Sequence, residues 1–117
     1  MQAFNLTEKD LQPRCREILV EGELDLAVAD QLKAALDRAM RDCTRILIGL
    51  EDCEFIDSTG ISVILRAHNQ MAKIGRQVAI YGPSNQVLRI LSVTGLTNNG
   101  LVFEKADEAL SVVAEGS

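Results

Sequence analysis

Apolar and polar residues alternate at the start of the chain, where Phe4 and Leu6 flank Asn5 and precede Thr7, the period-two pattern of a short half-buried strand. Pro13 lies in the connection to a second strand over Cys15–Glu21, with Ile18 and Val20 on one face. Two neighbouring strands with so short a connection predict an antiparallel hairpin. After Gly22-Glu23-Leu24-Asp25 the period changes. Leu32, Ala35, Leu36, Ala39 and Met40 fall at i, i+3, i+4, i+7 and i+8, the apolar stripe of an amphipathic helix, and Asp25 is placed to be its cap or near-cap. The run Arg45–Leu50 is apolar almost throughout, as a strand covered on both faces, or on one face and an edge, requires. Ile61, Ile64, Leu65 and His68 mark a second helix that should stop before Gly75. Val78–Tyr81 reads as a strand ended by Gly82-Pro83. Ser84 or Asn85 can cap a third helix carrying Val87, Leu88 and Leu91, with Gly95 near its end. Asn98-Asn99-Gly100 reads as a turn and Leu101–Phe103 as a short strand; Ala106, Ala109, Leu110 and Val113 give a last amphipathic helix.

The order β-β-α-β-α-β-α-β-α predicts an α/β fold: a mixed, mostly parallel sheet of about five strands, the initial hairpin antiparallel, with about four helices. The 117 residues contain no repeat, low-complexity stretch or linker, so one domain over 1–117 is expected. With 3% aromatic residues and no Trp, the core must come from Leu, Ile, Val and Ala, and stacking platforms for single-stranded nucleic acid are not expected.

A net charge of −5 opposes binding to phosphate backbones or anionic lipid and favours a basic partner. Residues 1–10 carry no signal-peptide pattern, and no apolar run approaches the ~20 residues that span a bilayer, so a cytoplasmic protein without membrane association is expected. Cys15, Cys43 and Cys53 are widely spaced and include no C-x-x-C pair, which suits reduced thiols. With His68 the only histidine, the spacing supplies no metal site. No long apolar surface stripe is evident, and a monomer is the simplest expectation for the free chain.

The stretch Phe55-Ile56-Asp57-Ser58-Thr59-Gly60 joins a buried strand to a helix and offers a hydroxyl, a carboxylate and a bare glycine at a helix N-terminus. A Ser/His/Asp catalyst is opposed by geometry: on one helix, Ser58 and His68 stand about 15 Å apart, whereas a nucleophile and its base need about 3 Å. The chain has neither G-x-x-x-x-G-K-[ST] nor G-x-G-x-x-G, so no nucleotide loop and no cofactor is expected. Two readings of the segment stay open. Asp57 or Ser58 can be an ordinary N-cap. Alternatively, because Ile61 stands where a capping box has an acid and Gly60 costs a helix about 1 kcal/mol relative to Ala, the bare backbone can serve the approach of a partner or a phosphate.

Gly22-Glu23-Leu24-Asp25 before an alanine-rich helix, then Phe55-Ile56-Asp57-Ser58-Thr59-Gly60-Ile61, then Val93-Thr94-Gly95-Leu96, resemble in order and spacing the STAS family, and within it the bacterial anti-sigma factor antagonists. The resemblance covers nearly the whole chain. It implies a non-enzymatic partner-switching protein whose unphosphorylated form binds an anti-sigma factor serine kinase and frees a sigma factor. Phosphorylation of Ser58 would switch it off, and a PP2C-type serine phosphatase would reset it. Thr59 ranks below Ser58 as acceptor. Glu23, Asp25, Asp57, Ser58, Thr59 and Gly60 are the implied partner-binding residues. The alternative is a STAS interaction module of a signalling scaffold or lipid-transport complex. Gly49 and Asn98-Asn99 depart from the family pattern.

Overall fold

The computed structural model describes residues 3–12, 14–93, 102–105 and 108–109. The elements run β1 (Asn5–Gln12), β2 (Cys15–Leu24), α1 (Ala29–Asp42), β3 (Arg45–Gly49), β4 (Cys53–Ile56), α2 (Ser58–Lys73), β5 (Gln77–Tyr81), α3 (Asn85–Val93) and β6 (Val102–Phe103). The main sheet has the order β1-β2-β3-β5-β6, antiparallel only between β1 and β2. The predicted hairpin and the parallel sheet that follows it are therefore present.

β4 is the strand that the sequence pattern did not yield. Cys53 and Ile56 are buried while Glu54 and Phe55 between them are exposed, so the four residues carry no alternation to detect. β4 lies off the main path and pairs in parallel with the end of β2: Gly22 with Cys53, Glu23 with Phe55, Leu24 with Ile56. β2 is long enough to serve two neighbours in succession, β3 along Cys15–Leu19 and β4 along Gly22–Leu24. The register shifts between Gly22 and Glu23, where Gly22 takes φ +84°, a left-handed conformation that a side chain would resist. The expected fourth helix, the Asn98–Gly100 turn and the 94–97 segment fall outside the described residues, except that Glu108 and Ala109 are helical.

The core explains why the patterns read as they did. Ile18, Val20 and Leu24 of β2, Ile46 and Ile48 of β3, Ile56 of β4 and Val78 and Ile80 of β5 pack with Leu32, Leu36 and Ala39 of α1, Ile61, Ile64 and Met71 of α2, and Val87 and Leu91 of α3. On the opposite face a smaller cluster holds Cys15, Leu47, Ala79, Tyr81 and Ala109. β3 is thus buried on both faces, one of the two coverings its unbroken apolar run allows. Gly49 has its own role there: a methyl on its α-carbon would lie 2.6 Å from the Tyr81 hydroxyl oxygen and 2.7 Å from Leu19 Cδ2. The glycine makes room for Tyr81, whose hydroxyl donates to Glu17 Oε2 at 2.7 Å. Burial and that hydrogen bond to the carboxylate both push the Tyr81 pKa up.

α2 ends at Lys73, just before Gly75, as predicted. Ser84 caps α3, its Oγ accepting from Val87 N–H at 3.3 Å. Asp25 is not the N-cap of α1. Val28 holds that position and makes no side-chain cap bond. Asp25 instead folds the approach, its Oδ1 accepting from Ala27 N–H at 3.0 Å and its carbonyl from Val28 and Ala29 N–H at 3.1 and 2.9 Å. The cap moved because a tight turn over residues 25–28 separates strand from helix, a local geometry that the periodicity of the helix does not report.

Candidate phosphoacceptor site

β4 ends at Ile56 and α2 begins at Ser58, so Asp57 has one residue in which to turn the chain from strand to helix. Of the two cap candidates, it is Asp57 that does so, with an extended backbone (φ −103°, ψ −179°) and a side chain that accepts from the helix. Its Oδ1 receives Thr59 N–H at 2.9 Å and Gly60 N–H at 3.1 Å, and its carbonyl receives Ile61 N–H at 3.0 Å. The second carboxylate oxygen is used elsewhere: Oδ2 receives Leu26 N–H, from the turn after β2, at 3.1 Å. Asp57 N–H in turn donates to Leu24 O at 3.1 Å. A single residue therefore caps α2 and ties it to the Asp25 turn. The sequence marks Asp57 as a cap but holds no sign of the bond to Leu26, because the partners lie 31 positions apart.

Ser58 is the first residue of α2 and is exposed. Ser62 Oγ donates to the Ser58 carbonyl at 2.8 Å, and the Ser58 hydroxyl has no hydrogen-bond partner among the described residues. Thr59, next along, is half-buried. Glu23, paired with Phe55 across β2 and β4, and Asp25, in the turn held by Asp57, lie at the same end of the fold. These five residues share one neighbourhood.

Gly60 corrects an expectation. Of the two readings the segment leaves open, bare backbone kept free for a partner or a phosphate does not hold: Gly60 is buried, and a Cβ there would lie 2.7 Å from Leu24 Cγ and 3.1 Å from Ile56 Cγ1. The close approach it permits is internal, between the first turn of α2 and the ends of β2 and β4. Its N–H and that of Thr59 are already taken by Asp57. An anion added at Ser58 would feel the helix dipole but find those two amides occupied, so it would stay at the surface.

His68 lies ten residues further along the same unbroken helix, about 15 Å away by helix rise, so the fold does not bring it to Ser58. Burial pushes the thiols of Cys15, Cys43 and Cys53 up from their ordinary range, the direction opposite to that of an activated nucleophile. Among the described residues no cluster of His, Cys, Asp and Glu is placed to hold a metal ion, and no helix is long and apolar enough to cross a membrane. Among the described residues no hydrogen bond pairs the Ser58 hydroxyl with a base. Chemically it can be a substrate.

The model of the STAS domain matches residues 7–109 of the chain. An anti-sigma F factor antagonist of Paenibacillus polymyxa is 28% identical over 96 residues, covering 80% of this chain and 82% of that protein. An anti-sigma-B factor antagonist of Staphylococcus aureus is 30% identical over 90 residues, covering 76% of this chain and 83% of its own length. The fold is shared with the unphosphorylated form of the anti-sigma factor antagonist SpoIIAA at a TM-score of 0.80 and 23% identity, over 97% of both chains. Against the phosphorylated form of this Bacillus protein the TM-score is 0.73 at 23% identity, over 95% of this chain and 99% of the other.

Proposed function

The chain belongs to the STAS-domain family, and from that premise we propose that it is an anti-sigma factor antagonist switched by phosphorylation of Ser58. In this reading the unmodified chain binds an anti-sigma factor that is itself a serine kinase, and the sigma factor held by that kinase is released. The kinase then transfers the γ-phosphoryl group of ATP to Ser58 Oγ: the new P–O bond forms as the bond to ADP breaks, and the hydroxyl proton passes to a base that the kinase supplies. A PP2C-type phosphatase hydrolyses the ester and restores the binding form.

The observation that carries the reading is the division of labour at the start of α2. Asp57 satisfies the helix and the neighbouring turn with both carboxylate oxygens, and the exposed Ser58 hydroxyl has no hydrogen-bond partner among the described residues. An acceptor serine must be free to enter another protein's active site, and the half-buried Thr59 is less so. Phosphorylation adds about −1.5 to −2 charges at pH 7 beside Asp57, Asp25 and Glu23. Even ~3 kcal/mol of repulsion and desolvation at an interface is a loss of roughly a hundredfold in affinity.

The test is incubation with purified anti-sigma factor kinases of the source organism and ATP. Mass spectrometry should find one phosphoryl group at Ser58 and none on Ser58→Ala, while Ser58→Glu should bind the kinase about a hundredfold more weakly than the unmodified chain. Full phosphorylation of Ser58→Ala would refute the site. Wild-type affinity in Ser58→Glu would refute the switch.

A further inference from the structure

Five large apolar side chains remain exposed among the described residues, and two of them belong to the segments that meet at Asp57: Leu26, 74% exposed, and Phe55, 36% exposed. Leu26 is the residue whose N–H is held by Asp57 Oδ2, so its backbone is fixed while its side chain projects into solvent. Phe55 stands on β4 three residues before Ser58, within about 11 Å along an extended chain. Pre-ordering lowers the entropic cost of using such a side chain in an interface.

From this placement we infer that Leu26, together with Phe55, is the apolar anchor by which the chain engages its kinase, and that the kinase presents an apolar pocket rimmed by lysine and arginine. The inference rests on Ser58 being the phosphoacceptor. A kinase that brings Ser58 Oγ into its active site must cover the ground around it, and a standard interface of about 800 Å² per partner is a disc about 16 Å in radius. Residues hydrogen-bonded to Asp57, or within three positions of Ser58, fall inside that disc. Ile74, also exposed at 62%, stands beyond the opposite end of α2, about 24 Å from Ser58 by helix rise, and falls outside.

Charge selects the rim. Between Arg16 and Lys33 the chain has no basic residue, and none between Arg45 and Arg66, whereas those two stretches hold Glu17, Glu21, Glu23, Asp25, Asp30, Glu51, Asp52, Glu54 and Asp57. Within them the end of β2, its turn, β4 and the start of α2 carry Glu21, Glu23, Asp25, Glu54 and Asp57. An apolar centre with an acidic surround is complementary to an apolar pocket in a basic one, and a phosphate added to Ser58 places its charge next to the anchor that must be dehydrated. The anchor and the switch would then act on the same contact.

The experiment uses the full chain and the purified kinase that phosphorylates it. Leu26→Asp and Leu26→Ala leave the backbone N–H, and hence its bond to Asp57, in place; Ile74→Asp is the control for adding a charge at an exposed apolar position. Circular dichroism first establishes that all three fold. Leu26→Asp should bind the kinase about thirtyfold more weakly, and be phosphorylated at Ser58 with a correspondingly lower kcat/KM, while Leu26→Ala loses several-fold and Ile74→Asp matches wild type. Unchanged affinity in Leu26→Asp, in a chain whose Ser58→Glu variant no longer binds, would overturn the anchor and leave the switch standing. Equal losses in Leu26→Asp and Ile74→Asp would overturn it as well. If the wild-type chain is neither bound nor phosphorylated by any anti-sigma factor kinase of the source organism, the anchor and the switch fall together.

Discussion

Replacing Asp57 by asparagine separates the two tasks of its carboxylate. Asn caps helices about as well as Asp, so Oδ1 can still receive Thr59 and Gly60 N–H, with only the charge–dipole contribution of about 0.3–1 kcal/mol lost. On the other side an amide group would replace Oδ2 and face the Leu26 N–H donor to donor. That bond looks to solvent, so its loss should cost no more than about 1 kcal/mol. Asp57→Asn should therefore lower the unfolding free energy in denaturant by about 0.3–2 kcal/mol, with faster hydrogen exchange at the Leu26 amide. Unchanged exchange at Leu26 would mean that the tether does not hold the turn. The same site shows how far residues can be read one at a time. Asp57 and Ser58 were legible because a cap and an exposed hydroxyl are properties of a short window. Gly60 is legible as an oddity but not in its purpose, since the atoms that exclude a side chain belong to Leu24 and Ile56. Leu26 gave no local signal at all.

Among the elements, the amphipathic helices and the doubly buried β3 declared themselves by period and run length, while β4 did not, being four residues with the burial of a turn. Contacts between elements were the least visible. α1 and α2 are linked by Asp37, whose carboxylate meets Lys33 Nζ at 3.2 Å one turn back on α1 and Arg66 Nη1 at 3.4 Å on α2. Partial burial alone would raise the Asp37 pKa, but the lysine and the guanidinium outweigh it and hold the carboxyl below its ordinary 3.8. A depressed folded-state pKa stabilises the protein above the unfolded value, and that contribution is lost as pH falls through the folded one. Arg66→Ala removes the inter-helix partner and should move the Asp37 titration, followed by carboxyl carbon NMR, upward towards 3.8. Because these groups are partly solvent-exposed, stability at pH 7 should fall by less than about 1 kcal/mol, with the difference from wild type disappearing in strong acid. An Asp37 titration unmoved by Arg66→Ala would show that the ion pair across the helices is not formed in solution.

At the scale of the molecule, the question raised by the proposed phosphorylation switch is whether the fold or only the surface changes. Ser58 lies outside the core, its side chain is exposed, and the nearest helix amides are already satisfied by Asp57. A dianion there gains the attraction of the α2 dipole, about 0.3–1 kcal/mol, and loses a comparable amount against the carboxylates of Asp57, Asp25 and Glu23. The two nearly cancel, and neither reaches the packing of Leu24, Ile56 and Ile61 beneath the site, which is where the stability of this end of the fold resides. The phosphorylated chain should therefore melt within a few degrees of the unmodified one, a stability change under about 1 kcal/mol, while its affinity for the kinase falls by about two orders of magnitude. The checks are calorimetry on stoichiometrically phosphorylated protein and a binding titration on the same sample. A drop in Tm of ten degrees or more would move the switch from the surface into the fold. Comparable stability with lost binding would place it where Leu26, Phe55 and Ser58 meet solvent.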